Sequence, residues 1–276
     1  MNITGNTRVI GHIGYPTHTF KSPMIYNPYF EQMGIDVVVV PFSVTTEYYA
    51  NFLRSLFNCG NTVGALITMP HKVSTTSLVS RLSKTAQIAG SCNAVRLGKD
   101  GQLEGDMFDG EGFVQGMLRK GVNPHGKSAL VVGCGGVGRA IAASLAKAGV
   151  ARIALFDIAD SSMMFLASQI QRYYPEVDVL TGIRNPQGYE IVVNATSLGM
   201  EEGDELPMDV ALIDNDAFVG DVVLRAEMTA FLSQAKEKGC QVQVGTDMLF
   251  EQIPVYLEYF GLPTTTPDVL RRYAKI

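Results

Sequence analysis

Little in this chain is suited to metal or disulfide chemistry. Cys59, Cys92, Cys134 and Cys240 show no CxxC spacing and lie within or beside apolar runs, the pattern of buried thiols rather than of bridges or thiolate ligands. That usage fits a reducing cytoplasm. His12, His18, His71 and His125 are scattered, so no metal site is expected. No run approaches the roughly 18 apolar residues of a membrane helix, and no basic stretch leading into an apolar core marks a leader, so no membrane association is expected. An excess of basic charge is also missing: 22 Lys and Arg stand against 27 Asp and Glu, for a net charge of −5, with the signs interspersed. Such a chain offers no field for nucleic acid or an anionic bilayer. Internal repeats and low-complexity segments are lacking too. What remains is 276 residues at 46% hydrophobic composition, enough for one large or two modest domains with true cores, and a bias toward small-molecule chemistry.

The most specific local signal is Gly133-Cys134-Gly135-Gly136-Val137-Gly138, set between the apolar run Ala129 to Val132 and a helical pattern from Arg139 to Lys147. Glycine at Gly133 permits a tight turn, at Gly135 a close backbone approach to pyrophosphate, and at Gly138 close packing of helix on strand. The N–H groups of Gly136 and Val137, at the start of the helix, are then available to phosphates. A second apolar run, Ile153 to Phe156, ends at Asp157, about 20 residues beyond the glycines, where a dinucleotide site places the carboxylate for the ribose hydroxyls. A 2′-phosphate beside Asp157 would meet like charge, and Ile158-Ala159-Asp160 supplies no arginine. The expected cofactor is therefore NAD, preferred over NADP.

Upstream, strand-like runs alternate with helical ones: Val9 to Ile13, Ser22 to Met33, Val37 to Val40, Thr46 to Phe57, Ala65 to Thr68 and Val73 to Ala89. This alternation implies an α/β fold with a mostly parallel sheet. A hairpin is expected from Asn93 to Leu97 and Gln102 to Met107, turning at Lys99-Asp100-Gly101. Beyond it come the helix Glu111 to Arg119, the nucleotide unit, and strands Val177 to Leu180, Ile191 to Val193, Val219 to Val223 and Val242 to Val244. Amphipathic segments Met248 to Phe260 and Pro267 to Ala274 close the chain. The expected plan is two domains, 1–109 with 248–276 as a substrate domain and 110–247 as a Rossmann-type NAD-binding domain, with a cleft between them for substrate and nicotinamide.

Further segments resemble the shikimate/quinate dehydrogenase family, in its order and over essentially the full length. Gly14-Tyr15-Pro16 through Lys21-Ser22-Pro23 resembles its amino-terminal substrate loop, and Thr68-Met69-Pro70-His71-Lys72 the segment ending in the catalytic lysine. Ala89-Gly90-Ser91-Cys92-Asn93 resembles the segment of the substrate-binding asparagine, and Gly105-Asp106-Met107-Phe108-Asp109-Gly110 that of the catalytic aspartate. Asn194-Ala195-Thr196-Ser197-Leu198-Gly199-Met200 resembles the cofactor-side loop, and Met248-Leu249-Phe250-Glu251-Gln252 the helix with a substrate-binding glutamine. The resemblance implies Lys72 and Asp109 as catalytic residues and Ser22, Thr68, Asn93 and Gln252 around the substrate. It implies cofactor contacts from Asn194, Thr196, Leu198, Met200, Gly245 and Met248. Oxidising a secondary alcohol needs a positioned group to take the hydroxyl proton while hydride leaves carbon, and a lysine tuned by a carboxylate meets that need. A homodimer through the first domain is the expected self-association.

The pattern breaks where the family binds the substrate carboxylate. Its loop usually carries two serines flanking one residue, whereas here Phe20 replaces the first and Ser22 alone remains. Thr17 and Thr19 are the neighbouring hydroxyls that would substitute. Leu66 stands for an asparagine, Phe108 for a threonine and Leu224 for a tyrosine. The expectation is an NAD-dependent oxidoreductase acting weakly on shikimate or quinate and better on another, less polar hydroaromatic or cyclic alcohol. The alternatives are a true shikimate or quinate dehydrogenase and, from another class, an NAD-binding sensor without turnover. A folate-type or amino-acid dehydrogenase would explain the glycine loop but not the segments ending at Lys72 and Gly110.

Overall fold

The structure is a computed structural model that describes residues 2–224 and 228–276. Contacts divide the chain into two compact units, Met1–Phe108 with Ile253–Ile276, and Asp109–Gln252. The first border thus falls slightly before the expected one and the return slightly after it. No described helix is long and apolar enough to cross a membrane.

The first unit alternates β1 (Arg8–Gly14), α1 (Ser22–Gln32), β2 (Val37–Ser43), α2 (Thr46–Phe57) and β3 (Thr62–Ile67), followed by β4 (Arg81–Leu82), α3 (Lys84–Ala89), β5 (Ala94–Leu97) and β6 (Leu103–Asp106). These form a sheet in the order β2-β1-β3-β5-β6-β4. β1 pairs in parallel with β2 and β3, while β5 runs antiparallel to β3 and β6. The expected hairpin is β5–β6, closed by Gly98 N–H donating to Gln102 O at 2.8 Å, with Gly101 at φ +79°. One face of the sheet buries Ile13, Ala65, Ile67 and Val95 against Tyr49, Leu53 and Leu56 of α2.

The expected helix from Val73 to Ala89 is instead a 3-10 turn (Ser74–Ser77), the short β4, and α3. Its hydroxyl-rich start explains the break. Ser74 and Thr75 donate to His71 O, Thr76 to Val73 O and Ser77 to Ser74 O, local bonds that compete with a continuous helix. Helix formation restarts where Ser83 accepts from Ala86 N–H as an N-cap.

The second unit opens with α4 (Asp109–Arg119) and then β7 (Ser128–Val132), α5 (Gly136–Lys147), β8 (Arg152–Phe156), α6 (Asp160–Tyr173), β9 (Asp178–Thr181), β10 (Ile191–Asn194), β11 (Phe218–Asp221), α7 (Ala230–Glu237), β12 (Gln241–Gln243) and α8 (Gly245–Glu251). All neighbours in its sheet, ordered β12-β11-β10-β7-β8-β9, are parallel. β7 and β10 lie side by side at the centre, where chain order reverses and doubly wound sheets bind their ligands.

The chain returns to the first unit through α9 (Ile253–Tyr259) and α10 (Pro267–Tyr273). The expected helix from Met248 to Phe260 is therefore two, and Pro254, lacking an N–H, sits just inside the second. α9 supplies Tyr256 and Tyr259, which meet Phe108 edge-on at 4.9 and 5.3 Å, while Arg96 donates to Tyr259 O at 2.6 Å. Phe108 thus anchors the returning chain. Phe108→Ala is expected to cost about 3–5 kcal/mol in urea unfolding; a loss below about 1 kcal/mol would mean the cluster does not hold α9.

Candidate functional site

In the first unit, the carboxyl ends of β1 and β3 bring several expected residues together. Successive side chains of a strand alternate between faces, so His12 and Gly14 share one face of β1. His12 is in register with Leu66. Thr68, just past β3, donates its N–H to Ile13 O at 3.0 Å and comes alongside Gly14. Phe20 lies over this face. A Cβ on Gly14 would sit 2.5 Å from Thr68 Cγ2 and 2.7 Å from Phe20 Cζ, and the Phe20 ring stacks on His12 at 4.0 Å and 22°. Ser22 opens α1 but does not cap it: the N-cap is Lys21, without a side-chain cap bond, so the Ser22 hydroxyl has no capping role.

Lys72 is held through its neighbours. His71, fully buried, stacks on Tyr49 at 3.9 Å and its Nε2 lies 2.7 Å from Val44 O. Cys92 N–H donates to Lys72 O at 2.8 Å. Asn93 follows as a hub. Its carbonyl accepts from Ile67 N–H and the Tyr256 hydroxyl, and its Oδ1 accepts from Phe108 N–H at 2.9 Å.

In the second unit, the glycine loop has the expected turn, with Gly133 at φ +102° and α5 starting after an extended Gly135. A Cβ on Gly138 would lie 1.9 Å from Gly133 O, and one on Gly133 2.6 Å from the Ala195 backbone, so the loop closes on the segment after β10. Around Gly135 a Cβ would meet nothing within 4 Å, and Gly136 is exposed and Val137 half-buried, leaving backbone for a phosphate. Asp157 clamps this loop, accepting from Cys134 N–H at 2.5 Å and from Ala159 N–H at 2.8 Å. Ile158 beside it is 97% exposed. These features fit a dinucleotide.

The cofactor-side loop is shaped by a buried network. Asn194 Nδ2 donates to Leu198 O and to Asp221 Oδ1, and Asn194 Oδ1 accepts from the Thr196 N–H and hydroxyl. The Thr196 hydroxyl accepts from Leu198 N–H, and Thr229 donates to Asp221 at 2.7 Å. Burial raises the Asp221 pKa against these donors. Asn194 is fully buried, so its side chain positions the loop, while Met200 at its end is 43% exposed. Gly245 starts α8, where a Cβ would lie 2.5 Å from Val223 O, and Met248 is buried within that helix. Asp109 begins α4 and is 5% exposed. On the same helix Gly112 packs against Gln252, where a Cβ would lie 2.8 Å from Gln252 Cβ. Gln252 Oε1 is buried without a hydrogen-bond partner.

A family model described as the shikimate dehydrogenase substrate binding domain matches residues 12–95. A shikimate dehydrogenase (NADP(+)) of Paramagnetospirillum magneticum is 32% identical over 275 residues, spanning 98% of this chain and 99% of that protein. The chain belongs to the shikimate dehydrogenase family. Among solved structures of this fold, the shikimate 5-dehydrogenase of Listeria monocytogenes, in complex with shikimate and NAD, superimposes with a TM-score of 0.91 at 26% identity, covering 99% of this chain and 98% of that one. The ligand-free 5-ketofructose reductase of Gluconobacter sp. strain CHM43 superimposes at 0.89 with 25% identity, covering 98% of each chain. Membership makes the protein an alcohol oxidoreductase that uses a nicotinamide dinucleotide.

Two residues of this family member escape a reading of the sequence. Arg139, in the first turn of α5, donates from Nε to Cys134 O at 2.8 Å and lies 4.7 Å from the centre of the Phe165 ring. His12 gives no signal as one histidine on an apolar strand. Burial, reinforced by the charge of Lys72, pushes its pKa down to about 3, and burial lowers that of His71. Unfolded histidine titrates near 6.5, so between about 6.5 and about 3 the unfolded chain binds the extra proton. Stability is then present above the unfolded value and lost as pH falls through this window. Urea unfolding is expected to show stability falling from about pH 7 to about pH 5, with a shallower fall in His12→Phe; equal slopes would mean His12 is not desolvated.

Proposed function

We propose that this protein is an NAD-dependent oxidoreductase that interconverts a cyclic secondary alcohol and its ketone, prefers substrates without a carboxylate, and acts weakly on shikimate and quinate. The observation that carries this is Phe20 lying over Gly14 and against His12, on the strand face electrostatically coupled to Lys72. A charged hydrogen bond contributes about 1.5–3 kcal/mol, so replacing the first serine of the loop by Phe20 weakens carboxylate binding by roughly ten- to a hundredfold. Leu66, in register with His12, removes a second polar group from the same face. A structural neighbour named as a 5-ketofructose reductase supports this reading, since 5-ketofructose has no carboxylate.

A nicotinamide dinucleotide held on the Gly135, Gly136 and Val137 backbone would supply the hydride acceptor. Lys72, as the amine, takes the hydroxyl proton as hydride leaves carbon and becomes the ammonium; in reverse the ammonium donates that proton to the ketone oxygen. Asp109 is the second catalytic residue of this reading, and Thr68, Ser22, Asn93 and Gln252 are its substrate-binding residues. The unpartnered Gln252 Oε1 supports its part in this set. Preference for NAD follows from Asp157 beside the glycine loop and from exposed Ile158, which offers a 2′-phosphate no charge. A second reading, a true shikimate dehydrogenase, is favoured by the full-length relative from P. magneticum.

Steady-state reduction of NAD and NADP with shikimate, quinate and cyclic alcohols lacking a carboxylate separates these. Expected are NAD preference, higher kcat/KM on the uncharged alcohols, and a loss of about 10²–10⁴ in kcat for Lys72→Ala. Phe20→Ser is expected to raise kcat/KM on shikimate by roughly tenfold or more. Lysine-dependent shikimate turnover at ordinary efficiency by the unaltered protein would establish the second reading. Tight NAD binding without any turnover would contradict both and leave a sensor.

A further inference from the structure

One polar group on the Phe20 face has no protein partner. His12 is 8% exposed, and its Nδ1 is buried without a hydrogen bond. Buried polar atoms are hydrogen-bonded in the great majority of cases, and an exception calls for a function or a ligand. His71 lacks a partner at Nδ1 as well, but its other nitrogen contacts Val44 O and its ring is enclosed against Tyr49, which makes it an anchor of the lysine segment. His12 instead lies where Phe20, Leu66 and the charge of Lys72 converge.

We propose that His12 is a substrate-binding residue whose imidazole hydrogen-bonds a hydroxyl of an uncharged cyclic polyol lying against Phe20. This rests on Lys72 acting on a secondary alcohol, as read above. Two further observations set the ligand class. Burial and the nearby ammonium keep the ring neutral, so it can donate to or accept from a hydroxyl but offers a carboxylate no positive charge. The neighbouring surface offers exposed apolar side chains beside Lys72: Tyr15 and Met69, joined by the Tyr15 N–H to Met69 O bond at 3.0 Å, are 52% and 73% exposed, and Val73 is 63% exposed. An aliphatic ring carrying hydroxyls on one edge matches a stacking face beside a neutral hydrogen-bonding group.

The test uses methyl shikimate, which keeps the ring hydroxyls and removes the charge, with cyclohexanol as a probe that has only the reacting hydroxyl. His12→Phe keeps the ring stack and loses the hydrogen bond, whereas His12→Gln retains a neutral hydrogen-bonding group. NAD binding followed by fluorescence verifies that both variants fold. Expected is a rise in KM for methyl shikimate of about tenfold in His12→Phe with a smaller change in kcat, substantial recovery in His12→Gln, and no comparable change on cyclohexanol. If the unaltered protein oxidises methyl shikimate and His12→Phe leaves its KM within about twofold, or raises KM equally on cyclohexanol, the role of His12 is overturned while that of Lys72 stands. If the unaltered protein binds NAD and oxidises neither probe nor shikimate, the alcohol reading fails and His12 with it.

Discussion

The missing side chain of Gly14 is the constraint on which the first unit's chemistry depends. A Cβ there would meet Thr68 and Phe20 side-chain carbons and the Met69 carbonyl, all within 2.8 Å. Its absence lets the segment after β1 fold back across the strand end, and the segment after β3 rise beside it. Strand alternation then does the rest, aligning His12 with Leu66 on the face beneath Phe20. In the proposed function Phe20 puts an aromatic surface where a polar cradle would bind a carboxylate, and His12 stacks against that ring.

Anchors flank the proposed functional residues on both units. His71 and Asn93 use buried contacts to hold backbone around Lys72 and Phe108, and Asn194 and Asp221 do the same for the loop from Thr196 to Met200. Such networks carry little net stability per bond but specify a single arrangement, because any unmade bond leaves a buried polar atom exposed to a low dielectric. Asp157 combines the two tasks. Its oxygens accept the Cys134 and Ala159 N–H groups, and each retains lone-pair capacity for a ribose hydroxyl.

Much of this was legible in the sequence because it is local. The glycine spacing between strand and helix, the Asp157 position, and the alternating runs of both sheets follow from short-range pattern and turn chemistry. Phe20 stood out in the sequence only as an expected departure from the loop it resembles. Its consequence was not legible, since the stacking of Phe20 on His12 joins two segments through tertiary packing. The run from Val73 to Ala89 misleads for the opposite reason: its apolar spacing suits a helix, while the hydroxyls of Ser74 to Ser77 take the carbonyls a helix would use. Arg139 and Gln252 look like surface residues in a helical pattern, and only packing shows one bound to the glycine loop and the other buried beside Gly112.

The central claim is that the carboxylate-binding end of a family site has become neutral and apolar around Phe20. Calorimetric titration of the NADH-loaded protein with shikimate and with its methyl ester tests this most directly, since the ligands differ only in that group. Tighter binding of the ester by about tenfold or more is predicted, narrowing or reversing in Phe20→Ser. Tighter binding of shikimate by the unaltered protein would contradict the account.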